Sequence, residues 1–121
     1  MRYESTQTIE SSVAPGVSFT VARMSFDRRT ELMRRVRELA RRMEFLEASP
    51  APGERMDAGL LRAEIDRLFL EWGLRSVQGL LLDGEEATPR LLAESGPEDL
   101  FQEALAAVKQ ETGLSESERK N

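Results

Sequence analysis

The chain has 121 residues, 40% apolar and 32% charged, with a formal net charge of -5. That length fits one domain, and that balance supports one packed core under a heavily charged surface. It contains neither Cys nor His, which excludes disulfides, thiolate metal sites, cysteine nucleophiles and every Ser-His-Asp arrangement. The N-terminus, Met1-Arg2-Tyr3-Glu4, lacks the apolar run of a signal peptide, and no stretch approaches the roughly 18 apolar residues of a membrane span. The expectation is a cytoplasmic protein with no membrane partner.

In residues 17–22, Val17, Phe19 and Val21 alternate with Ser18, Thr20 and Ala22, the two-residue period of a half-buried strand. Residues 5–13 are rich in Ser and Thr, and Pro15-Gly16 supplies a turn, so residues 1–24 read as a β-hairpin. Pro-Gly favours a type II turn, whose twist suits a two-residue hairpin poorly, and a longer or bulged connection is expected.

Ser25 or Asp27 can cap a helix reaching about Glu47. Leu32, Met33, Val36, Leu39, Ala40, Met43 and Leu46 fall on one arc of it, and Arg34, Arg35, Arg37, Arg41 and Arg42 cover the opposite arc. Residues 49–54, Ser-Pro-Ala-Pro-Gly-Glu, read as an exposed linker. A second helix is expected from about Asp57 to Trp72, stopped by Gly73, with Leu61, Ile65, Leu68, Phe69 and Trp72 as its apolar stripe and Leu70 on its polar side.

Residues 74–84 lack a helical pattern and end in Asp83-Gly84. They read as an extended segment and turn, able to add a third strand to the hairpin near residues 76–82. Thr88-Pro89 places a capping hydroxyl before a proline at the first helical position and opens a short helix ending near Ser95-Gly96. Pro97 opens the last helix, over residues 98–112, with an apolar stripe broad enough to meet two neighbours. Ser115 and Glu118 form a capping-box pattern after it. The chain therefore reads as one α+β domain, predominantly helical, in which the hairpin precedes a compact bundle of about four helices over residues 25–121.

Residues 23–42 hold eight arginines against three acids, and residues 83–121 hold ten acids against four bases. The arginine face has three readings: a solvated face partly paired with the acidic C-terminal half, a protein-binding face, or a nucleic-acid contact. Glu31 before Arg35 and Glu38 before Arg42 have the spacing of surface ion pairs, which favours the first.

Asp83, Glu85 and Glu86 beside Gly84 suggest a fragment of an oxygen-ligand loop but lack its alternating acids and distal Glu. The carboxylates of Glu64 and Glu71, or of Glu98 and Asp99, read as ordinary helical surface. No pattern for a catalytic, cofactor or metal site emerges, and the chain reads as a non-enzyme without cofactors. Met33 and Met43 read as core fillers. Phe45, Leu60, Leu70 and the run Leu80-Leu81-Leu82 lie off the stripes or in irregular structure; exposed together, they would mark a partner-binding patch. Arg34, Arg35, Arg41 and Arg42 would then orient the partner.

One further pattern joins these pieces. Arg23-Met24-Ser25-Phe26 at the junction, Glu71-Trp72-Gly73-Leu74, Leu82-Asp83-Gly84-Glu85, Thr88-Pro89, and Leu114-Ser115-Glu116 through Lys120-Asn121 resemble the tail assembly chaperones of long-tailed bacteriophages and prophages. The likeness spans nearly the whole chain. It implies a non-enzymatic chaperone in the bacterial host cytoplasm that binds the helical tape measure protein, tail tube subunits, or both, during tail assembly. It also implies that the chain is the short form of a gene that can yield a longer frameshifted product. The alternatives are a minor virion protein, such as a head-tail connector or tail component, and a small nucleic-acid-binding regulator, which the acidic net charge disfavours.

Overall fold

In the computed structural model, which describes residues 1–113, the alternating segment becomes the central strand of a sheet. β1 (Thr6–Glu10) pairs antiparallel with β2 (Ser18–Ala22), and β3 (Leu74–Gln78) joins the other side of β2. Ile9, Phe19 and Val77 form one cross-strand row, and Phe19 is wholly buried. On the opposite face Ser18 and Thr20 donate to the Gln78 side-chain oxygen, while Thr20 meets Thr8. One face is thus apolar and the other a polar ladder, as the two-residue period requires. Residues 11–17 make the connection between β1 and β2, longer than a two-residue turn, and Gly16 takes a φ of 87° within it.

α1 (Phe26–Glu47) starts where the Ser25 hydroxyl accepts from the Arg28 amide at 3.2 Å. α2 (Pro52–Gly73) begins a turn earlier than Asp57, because Pro52 has no amide proton to leave unpaired and a φ already suited to the first turn. The linker contracts to residues 48–51. Contacts of Arg28 with Trp72 at one end and of Glu47 with Arg62 at the other fix the two helices antiparallel.

β4 (Leu81–Leu82) and β5 (Glu85–Glu86) flank a tight turn in which Asp83 and Gly84 take φ of 52° and 82°. Two successive positive φ values are what a type I′ hairpin demands and what Asp-Gly supplies. α3 (Pro89–Ser95) opens with the Thr88 hydroxyl accepting from the Leu91 amide at 3.1 Å. α4 (Glu98–Thr112) closes on Gly113 in the left-handed conformation. The capping-box pattern at Ser115 and Glu118 lies outside the described residues. No helix among the described residues is long and apolar enough to cross a membrane.

The expected α+β, predominantly helical architecture is what forms, with α2 at its centre. One core joins Phe19 and Val21 of the sheet, Leu32 of α1, Phe69 and Leu70 of α2, Leu92 of α3, and Leu105 and Val108 of α4. Leu70 corrects the sequence reading: it is 0% exposed and lies on no polar side. Asp66 pairs with Lys109 of α4 at 3.1 Å, and a side chain at Gly73 would strike Val108 of α4. Leu70 stands on the same helical face between them. α2 is therefore buried on two faces, one against α1 and one against α4, where a single stripe was expected. Met33 is a second correction. It is 42% exposed, and α1 fills the core with Leu32 and Val36 instead.

Candidate functional site: a groove on the helical hairpin

α1 packs chiefly on α2, and the far end of this hairpin receives no cover from the sheet or from α3 and α4. Phe45 is 77% exposed and Leu60 is 66% exposed there. They line an open groove of about 630 Å³ with Leu46, Leu61, Arg41, Arg42, Asp57 and Glu64. Met56, 73% exposed, sits one turn before Leu60 on the same face of α2. The floor is apolar, one edge is basic and contributed by α1, and the other edge is acidic and contributed by α2.

None of Arg41, Arg42, Asp57 and Glu64 makes an ion pair among the described residues, whereas Glu47 and Arg62 close the other side of the same hairpin at 2.7 Å. A second, polar groove of about 550 Å³ continues along α1 between Arg34, Arg37, Glu38, Arg41 and Arg42.

The patch expected from the sequence divides on this structure. Leu60 lies in the groove. Leu70 is core and leaves the patch. Leu81 is 66% exposed on the β4–β5 hairpin, with Leu80 and Leu82 half-buried against the core, so Leu81 alone of this run stands exposed. The sequence marks Phe45 only by its place off the stripe of α1, and Asp57 only as a helix start. Their convergence depends on α2 beginning at Pro52, which sets how the two helices align.

The arginines divide as well. Arg34 and Arg35 both pair with Glu31, and the Arg35 guanidinium lies over Trp72, 5.0 Å from the ring centroid. Arg28 approaches the same ring at 4.8 Å and donates to the Trp72 carbonyl at 2.8 Å. Arg35 therefore belongs to the fold, while Arg41 and Arg42 face the groove. The expected pairing of α1 with the acidic C-terminal half does not occur among the described residues. Glu94 pairs instead with Arg90 and Arg67.

Glu103 of α4 accepts from the hydroxyls of Ser11 and Ser12 and from the Ser12 amide, the last at 2.7 Å. Partial burial opposes its charge, but these donors outweigh burial and hold its carboxyl below the usual carboxylate range. The carboxylate thus ties the β1–β2 loop to α4. Glu71 is held by Arg67 at 2.9 Å and forms no carboxylate pair with Glu64. Among the described residues no three acidic side chains gather closely enough to hold a metal ion.

What the groove offers is an apolar strip between two oppositely charged edges, the surface an amphipathic helix recognises. Comparison of the chain with protein-family models, with curated proteins and with solved structures finds no match.

Proposed function

We propose that this chain is a non-enzymatic assembly chaperone that shields an amphipathic helix of a partner protein in the groove between α1 and α2. The observation that carries the reading is the side-by-side exposure of Phe45 and Leu60, 77% and 66%, at the open end of the hairpin. Large apolar side chains placed together on a surface cost solubility unless something covers them in use. Flanking arginines and acids would orient the incoming helix and hasten its encounter. With the resemblance to phage tail assembly chaperones, the client is the tape measure protein, tail tube subunits, or both, held in the host cytoplasm until assembly.

The test is co-expression with the tape measure protein encoded nearby, using wild type and the double variant Phe45→Asp, Leu60→Asp. The expected result is that the client remains in solution and co-purifies with wild type but not with the variant. A client that precipitates equally in both cases, or co-purifies equally with both, overturns the reading. Retention of the chain in purified particles would favour a structural virion component instead.

A further inference from the structure

We propose that, before any partner arrives, a second copy of this chain covers the groove, forming a symmetric dimer through the α1–α2 hairpins. The edges of the groove make the surface complementary to itself. Arg41 and Arg42 line the α1 side with Phe45 beside them, Asp57 and Glu64 line the α2 side with Leu60 beside them, and Leu46 and Leu61 lie between. Because the helices run antiparallel, with Arg28 and Arg35 level with Trp72 and Glu47 level with Arg62, Arg41 stands level with Glu64 and Phe45 level with Leu60.

A two-fold axis parallel to the hairpin lays α1 of one copy over α2 of the other at the same height. Arg41 of each copy then meets Glu64 of the other, and each Phe45 meets a Leu60. A two-fold axis across the hairpin would set α1 on α1 and arginine on arginine, so charge selects the first arrangement. The four edge charges are free for this role, since none makes an ion pair among the described residues.

The result is a four-helix layer with Phe45 and Leu60 inside. The dimer stands on the surface alone. Its consequence, that a client helix must displace the second copy, rests on the chaperone reading.

The experiment is sedimentation equilibrium of the purified full chain, without any client, across a broad concentration range. Wild type should dimerise. Arg41→Glu alone and Glu64→Arg alone should each weaken the dimer by about tenfold or more, and Phe45→Asp should do so without unfolding the exposed position. Mixing the Arg41→Glu chain with the Glu64→Arg chain should restore association as a heterodimer, because each contact then joins opposite charges. A merely structural role for either residue would give no rescue in trans. A strict monomer at every concentration overturns the proposal, as does a dimer that all three substitutions leave intact. Neither outcome bears on client capture, which the co-expression experiment reads separately.

Discussion

A Cβ built on Gly73 would overlap Cγ1 of Val108 and stand 3.1 Å from its Cγ2. The last residue of α2 thereby admits α4 closer than any side chain would. Val108 is 1% exposed and branched at Cβ, which stiffens its χ1 and resists its moving aside. Gly73→Ala should therefore destabilise the fold by about 1–3 kcal/mol through overpacking, although Ala usually improves a helix by up to about 1 kcal/mol. Urea unfolding measures the difference. A variant as stable as wild type would show that α4 yields without cost, while Gly73→Ala combined with Val108→Ala should cost less than the two changes summed.

This contact also illustrates what the sequence conveys. The Ser25 and Thr88 caps, the Asp83-Gly84 turn and the alternation around Phe19 act between neighbours a few residues apart, so their signals are local and legible. Leu70 is different. A wheel shows one best stripe, and nothing near Leu70 announces that α4 covers a second face of α2. The exposure of Met33 and the stacking of Arg35 on Trp72 likewise depend on which helix lies opposite. The groove is half legible: Phe45 and Leu60 stand off their stripes, but only the start of α2 at Pro52 brings them level.

Arg28 joins two interactions on one residue, a guanidinium 4.8 Å from the Trp72 ring centroid and a donor 2.8 Å from the Trp72 carbonyl. It clamps the start of α1 to the end of α2, where β3 begins. Arg28→Ala should cost about 1–2 kcal/mol, and Arg28→Lys should recover only part of it, because a lysine lacks the flat fork that stacks and donates together. Trp72 is the only tryptophan, so its fluorescence reports both the unfolding curve and the local change. An Arg28→Ala protein with unchanged midpoint and emission would remove this clamp from the account.

The Glu103 clasp predicts an acid sensitivity of defined sign. Its folded carboxyl lies below the ordinary value, so the folded state favours the ionised form more than the unfolded chain does. The contribution is fully present above the unfolded value, about 4.3, and disappears as pH falls through the lowered folded value. Glu103→Gln should therefore be less stable than wild type near neutrality, and the gap should narrow in acid. Unfolding of both proteins at several pH values checks this. A gap that is constant with pH would mean that charge on Glu103 does not contribute.

Arg41 and Arg35 lie on one helix with the same charge and should nonetheless respond oppositely to reversal. Arg35 is anchored by Glu31 and by the Trp72 ring, so Arg35→Glu should lower stability by about 1 kcal/mol, with the exposed ion pair adding little to that cost. Arg41 has no ion-pair partner among the described residues and borders the groove. Arg41→Glu should leave stability within about 0.5 kcal/mol of wild type while weakening whatever occupies the groove by about tenfold or more. Salt screens charges at an exposed edge, so the deficit of Arg41→Glu should be largest at low ionic strength and fade as salt rises, whereas the Arg35→Glu deficit in stability should persist because a stacked guanidinium is lost with its packing. Thermal unfolding and association measured across a salt series separate the two. Equal losses of stability in both variants would place Arg41 in the fold and leave Arg42 alone on the basic edge of the groove.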